Sequence, residues 1–294
     1  MLTPYQLGGT GVALVTPFQS NNDVDFESLD RLVHFVIQNQ VDFLVALGTT
    51  SEAATLSEKE KREVVRHIIT ANGGRKPIIV GMGGNNTAQV VDTINKTDFD
   101  GIDGILSVVP FYNKPSQEGI YQHFAEIANA SPVPIILYNV PGRTSCNMEA
   151  ETTIRLANDF ENIIAVKEAS GDFIQIMNII HKKPDDFMVL SGDDASTLPL
   201  ISLGADGVIS VTANGFPFEF SQMVREVLDQ SMDEACSIHY SLLEMIQLLF
   251  CEGNPAGIKA LLHLRGLIDN NLRLPLVPVT EETYIAIENI LNKF

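Results

Sequence analysis

The chain has 294 residues, enough for one barrel domain of roughly 250 residues with a short appendage, or for two ordinary domains. At 45% hydrophobic and 19% charged residues it has the apolar material for a sizeable core. Its formal net charge of −18 argues against non-specific nucleic-acid binding and means that an anionic substrate must be drawn by a local cation.

Three widely spaced cysteines, Cys146, Cys236 and Cys251, argue against a disulfide framework and favour a reducing, cytoplasmic setting. The opening MLTPYQLGGTG lacks a charged stretch leading into an apolar one, so no signal peptide is expected. No run approaches the ~20 apolar residues of a membrane span, so no membrane partner is expected.

Short apolar runs recur along the chain: Val12–Val15, Phe43–Leu47, Ile78–Val80, Ile105–Val109, Ile135–Tyr138, Ile163–Val166, Met188–Leu190 and Val208–Val211. They are apolar without alternation, as fully buried parallel strands are. Helical patterns lie between them. Leu29, Leu32, Val33, Val36 and Ile37 share one face. Ser57 and Glu60 form a capping box ahead of Val64, Val65, Ile68 and Ile69. Ser116 is placed to cap a helix burying Ile120, Phe124 and Ile127. Phe173, Ile176, Met177 and Ile180 repeat the pattern, and Gly204 reads as a helix stop.

Strict β–α alternation implies a parallel sheet, and eight units favour a closed (β/α)8 barrel over an open doubly wound sheet. After about Glu226 only helices are expected, over Ala235–Phe250, Pro255–Ile268 and Glu281–Leu291. The expected division is a barrel over 1–225 and a helical region over 226–294 that packs against it.

In such a barrel the chemistry sits where strands end. Gly48-Thr49-Thr50-Ser51-Glu52 follows the second strand; its hydroxyls suit a small carboxylate, or it is an ordinary polar turn. Gly81-Met82-Gly83-Gly84-Asn85 lacks the third glycine of a dinucleotide fingerprint and reads as a turn with close backbone approach. Pro110-Phe111-Tyr112-Asn113-Lys114-Pro115 is a stiff segment whose Tyr112 either packs or presents a phenol, in a site or at a subunit contact. Tyr138 ends the fifth strand, and Arg143 follows in a Pro-Gly turn, a surface arginine or a fork for a carboxylate.

Lys167 completes the sixth strand. It is either a snorkelling lysine or an amine poised for a carbonyl, since desolvation disfavours an ammonium. Tyr138 on the neighbouring strand favours the second reading, because a phenol can shuttle protons to the nitrogen. Asp193 and Asp194 read as structural rather than metal-binding. No histidine spacing, phosphate loop or Ser/His/Asp arrangement calls for a metal or cofactor.

Taken together, GTTSE, YNVPGRT, VKEASG, SGDDAS and GVISVTAN, in that order, resemble the dihydrodipicolinate synthase and N-acetylneuraminate lyase family of class I pyruvate-dependent aldolases. The resemblance runs from about Gly8 to Leu274. It implies an imine between Lys167 and pyruvate, with Tyr138 as proton relay. It places Thr49 on the Tyr138 hydroxyl, Thr50 on the pyruvate carboxylate and Tyr112 at the end of a Tyr–Thr–Tyr proton path completed across a subunit boundary. Arg143 would grip the second substrate, L-aspartate 4-semialdehyde, and the backbones of Gly192 and Ile209 would line the imine. No cofactor is implied, and the implied assembly is a homotetramer built as a dimer of dimers.

Two departures stand out. Ser51 replaces the glycine of the usual GTTGE, with little loss expected. Lysine-sensitive members carry a histidine or glutamate at Lys61, a glutamate at Gln89 and a tyrosine at Phe111, while Asn85 matches; weak or absent feedback by lysine is expected. Sialate lyases lack an arginine at position 143 and have serine for Thr49, which disfavours a sibling aldolase. A non-catalytic ligand-binding barrel is disfavoured because Lys167 and Tyr138 are both present.

Overall fold

The computed structural model describes residues 3–294, so Met1 and Leu2 of the opening stretch lie outside the described residues. Among the described residues, eight parallel strands close into a barrel in chain order. They are β1 (Gly9–Ala13), β2 (Phe43–Ala46), β3 (Ile78–Gly81), β4 (Gly104–Val108), β5 (Ile135–Asn139), β6 (Ile163–Glu168), β7 (Met188–Ser191) and β8 (Gly207–Ser210). The ring closes by β1 on β8, with Thr10 beside Val208 and Val12 beside Ser210. Nearly every strand residue is buried on both faces, which is why the runs read as continuously apolar.

The first strand begins earlier than expected, at Gly9 rather than Val12. Apolar content alone misses it, because Gly9, Thr10 and Gly11 pair through backbone. Gly11 is needed for a steric reason. Any Cβ there would overlap the Phe43 ring, which fills the barrel lumen with no solvent exposure.

Helices alternate with the strands: α1 (Phe26–Gln38), α2 (Glu58–Asn72), α3 (Thr87–Lys96), α4 (Gln117–Ala130), the single turn α5 (Pro141–Thr144), α6 (Ala150–Asp159), α7 (Phe173–Lys182), α8 (Thr197–Ser202) and α9 (Pro217–Leu228). The expected caps are in place. Ser57 Oγ accepts from the Glu60 amide while the Glu60 carboxylate accepts from the Ser57 amide, and Ser116 Oγ accepts from the Gly119 amide. Gly204 follows α8 at φ +106, a conformation that favours glycine. In α7 one expectation fails. Met177 is 40% exposed, because the stripe facing the barrel is centred on Ile176 and Ile179.

After α9 come α10 (Met232–Cys251), α11 (Ala256–Leu264, shorter than expected) and α12 (Glu281–Leu291). Among the described residues no helix is long and apolar enough to cross a membrane. The core has two shells. One lies between strands and helices; the other fills the lumen with Ala13, Phe43, Val45, Ile79, Leu106, Ile136, Leu190 and Ile209 among others. Each buried Val, Leu, Ile or Phe side chain among them contributes roughly 1.5–3 kcal/mol.

His123 in α4 adds a pH dependence to this packing. It is buried, its Nδ1 lies 2.8 Å from Thr87 Oγ1, and its Nε2 has no hydrogen-bond partner among the described residues. Burial lowers its pKa from the ordinary 6.5 to about 4. The folded state therefore binds a proton less readily than the unfolded chain. Its stabilising contribution is complete above 6.5 and is lost as pH falls through 4, by up to roughly 3 kcal/mol. Urea unfolding at pH 7 and pH 4 is expected to show a smaller acid loss in His123→Gln than in the native chain. Equal losses in both would show that His123 titrates normally.

Candidate active site

The lumen opens at the carboxyl ends of the strands, and there β5 and β6 set Tyr138 beside Lys167. Lys167 sits two residues beyond an irregularity in β6. Ile135 pairs with Ile163, but Ile136 pairs with Ala165, so Ile164 is an extra residue. Ile164 and Ala165 both face the lumen, whereas Ile163 and Val166 face the helices. Side chains alternate along a strand, so this single bulge reverses the phase of everything after it. Unbroken alternation from Ile163 would turn Lys167 toward the helices; the bulge turns it into the lumen.

Lys167 is 6% exposed and its Nζ lies 4.4 Å from the centroid of the Tyr138 ring, itself 7% exposed. Gly192, just past β7, makes room for the lysine. A Cβ there would sit 3.1 Å from Lys167 Cε, 2.7 Å from Ala169 Cβ and 3.0 Å from the Glu168 carbonyl oxygen. Its amide donates to that same carbonyl at 2.7 Å. Ile209 of β8 completes this side of the lumen.

Glu168 faces the other way and is buried. It accepts from Asn139 Nδ2 (2.7 Å), Gln175 Nε2 (3.0 Å), Ser170 Oγ (2.6 Å) and the Ser170 amide. Burial pushes its carboxyl above the usual range, and hydrogen bonds from Ser170, Asn139 and Gln175 oppose that rise. The network ties β5, β6 and α7 together directly behind the Tyr138–Lys167 pair. Glu168 and Asn139 lie outside the residues expected in the site, although their polarity next to two candidate site residues in buried strands marks them in the sequence.

The turn after β2 lies across the mouth. Thr50 is buried and Thr49 exposed. The expected Thr49–Tyr138 hydrogen bond is not formed among the described residues; Thr50 Oγ1 instead accepts from Asn254 Nδ2 at 2.9 Å. Ser51 donates from its hydroxyl to the Gly48 carbonyl at 2.7 Å and has no positive φ, so the backbone does not require glycine there. Asp194 accepts from the amides of Val211 and Thr212 and from Thr212 Oγ1, and Asp193 caps Ser196. Both aspartates thus shape the loops after β7 and β8. Among the described residues no three His, Cys, Asp or Glu side chains cluster to hold a metal ion.

Arg143 stands exposed on α5, whose turn is fixed by Thr144 Oγ1 donating to Val140 and Cys146 carbonyls. Tyr112 is 88% exposed at φ +74, an uncommon backbone for a bulky residue. Lys61 pairs with Glu58 at 2.7 Å, and Asn85 Nδ2 donates to the Phe111 carbonyl.

A closed (β/α)8 barrel whose mouth gathers a buried lysine, a phenol and a hydroxyl-bearing turn defines an enzyme of the barrel class with its site at the strand carboxyl ends. The chain belongs to the dihydrodipicolinate synthetase family, whose model matches residues 6–294. It is 55% identical to a 4-hydroxy-tetrahydrodipicolinate synthase of Parabacteroides distasonis, over 99% of this chain and 98% of that one. A dihydrodipicolinate synthase structure from Thermotoga maritima superposes with a TM-score of 0.95 at 40% identity, covering 98% of both chains. A structure described as a monomeric dihydrodipicolinate synthase variant superposes at 0.96 and 39% identity, covering 99% of this chain and 98% of that one.

Proposed function

We propose that this enzyme condenses pyruvate with L-aspartate 4-semialdehyde to give 4-hydroxy-tetrahydrodipicolinate, using an imine on Lys167. The carrying observation is the lumen-facing Lys167 with Tyr138 against it. The neutral Lys167 amine adds to the pyruvate ketone, and water leaves as the imine forms. The protonated imine withdraws electrons, and the methyl group loses a proton to give an enamine. In this reading Tyr138 carries protons to and from the nitrogen, and Thr49 and Tyr112 continue the path outward once the Thr49 hydroxyl turns to meet Tyr138. The enamine carbon bonds to the aldehyde carbon, whose oxygen takes up a proton. The amino group of the semialdehyde then attacks the imine carbon, closes the ring and releases Lys167. The net change is loss of one water, with no redox step.

Thr50 and the backbones of Gly192 and Ile209 line the pyruvate subsite in this reading. Arg143 grips the carboxylate of the semialdehyde, as its exposed fork at the mouth permits. The exposed, backbone-constrained Tyr112 supports a contact with a second subunit, and a homotetramer is the assembly we assign. The test is a coupled assay offering L-aspartate 4-semialdehyde or N-acetylneuraminate; turnover of the latter alone would make the chain a sialate lyase instead. Arg143→Ala is expected to lower kcat/KM for the semialdehyde roughly a hundredfold. Borohydride trapping of pyruvate on the enzyme should be undiminished in that variant. Unchanged turnover would remove Arg143 from the site.

A further inference from the structure

The helical region beyond the barrel reaches into the mouth at Asn254 and Lys259. Asn254 precedes α11 and Lys259 lies within it. The Asn254 amide is 204 residues from Thr50 in the chain, yet donates to its hydroxyl at 2.9 Å. A hydroxyl has one hydrogen and two lone pairs. Having accepted from an amide, Thr50 has its own hydrogen free, and it donates to no described residue. A carboxylate offers only acceptors. Asn254 therefore leaves Thr50 a directed donor, and acceptance from the amide strengthens that donation. The other half of the amide, Oδ1, is buried and has no partner among the described residues. An unsatisfied buried acceptor needs a reason, and the donation to Thr50 supplies one.

A second contact fixes the turn itself. Leu47 and Glu52 bracket it at φ +54 and +55, a region that non-glycine residues occupy sparsely and hold only when their surroundings impose it. For Glu52 the constraint is visible. Its Oε1 lies 2.5 Å from Lys259 Nζ with both side chains fully buried, and its Oε2 accepts from the Arg273 amide at 3.0 Å. One segment thus holds both the end of the turn and the hydroxyl inside it.

We propose that Asn254, backed by the Lys259–Glu52 pair, is a positioning residue that sets Thr50 as the hydroxyl donor to the carboxylate of pyruvate. This rests on the assignment of Thr50 to that carboxylate. The experiment measures steady-state kinetics and the pyruvate concentration giving half-maximal borohydride trapping, in the full-length chain and in T50V, N254A and N254D. N254A is expected to raise the pyruvate requirement about tenfold or more, the size of a lost hydrogen bond to a charged group. Turnover at saturating pyruvate and KM for the aldehyde should stay near native. N254D should raise the requirement further, because a carboxylate accepts the Thr50 proton and repels the substrate. In a T50V background N254A should add nothing, and N254D should add only the repulsion between its carboxylate and the substrate's. A merely structural role would lower kcat and raise both KM values together, and would not separate Ala from Asp. N254D is isosteric with the native side chain and carries the test if N254A does not fold. Native pyruvate dependence in N254D, with T50V impaired, would overturn the proposal and leave the Thr50 assignment standing. Native dependence in T50V would overturn the assignment itself.

Discussion

Lys167→Ala is expected to abolish the borohydride-trapped pyruvate adduct and to lower turnover by at least about 10³-fold, the scale on which an enzyme loses activity when its nucleophile is removed. Lys167→Arg should do the same, because a guanidinium keeps the charge but does not lose a proton to become a nucleophile. The structure offers a second buried lysine as an internal control. Lys259 Nζ is held by Glu52, donates to the Asn271 carbonyl and lies 4.1 Å from the Phe18 ring centroid. Its lone pair is thus not available to a substrate. Lys167 forms no salt bridge among the described residues. Its removal strands no counter-charge, so Lys167→Ala should unfold at nearly the native urea concentration. Peptide mapping of the trapped native enzyme decides the matter. A reduced adduct on any other lysine, or one that persists in Lys167→Ala, removes the imine chemistry from this residue.

Why Lys167 was found from sequence while its orientation was not is a matter of which forces leave a local trace. Burial on both faces writes itself into a strand as an unbroken apolar run, so the eight strands and their order were legible, β1 apart. In Ile163-Ile164-Ala165-Val166, however, every residue is apolar whether it faces lumen or helices, so nothing marks Ile164 as the extra one. The direction of Lys167 depends on that unmarked residue. Gly192 stands out in sequence by its place in a motif, but its physical purpose, clearance for the lysine chain, depends on the neighbouring strand. Polar pairs distant in sequence leave no local trace either. Asn254 and Lys259 read as ordinary members of a helical appendage, and Glu52 as the polar end of a turn. Their meeting is a consequence of how α11 docks, which no periodicity encodes. The helical region, whose role beyond packing has no trace in the sequence, holds a loop of the barrel mouth.

That docking leads to the largest stability effect expected outside the site chemistry. Lys259→Met leaves the Glu52 carboxylate buried without its counter-charge and should destabilise the fold by about 3–5 kcal/mol in urea unfolding. Glu52→Gln should cost less, and the asymmetry has a cause. Burial already lowers the Lys259 pKa to about 8, against the upward pull of Glu52. Without Glu52 the lysine sheds its proton and remains as a neutral amine still bonded to the Asn271 carbonyl. In that variant the folded chain binds fewer protons than the unfolded one up to the ordinary lysine value of 10.5, so its stability should rise with pH toward that value. The double variant, Glu52→Gln with Lys259→Met, should recover most of the loss, because a buried ion pair replaced as a unit leaves no charge behind. It should not recover the geometry of the turn. With Glu52 no longer tethered, its left-handed backbone has lost one of the contacts that impose it, and the pyruvate requirement should stay raised. Stability and pyruvate dependence would then come apart in one protein. If Lys259→Met were as stable as the native chain, the pair would carry neither role.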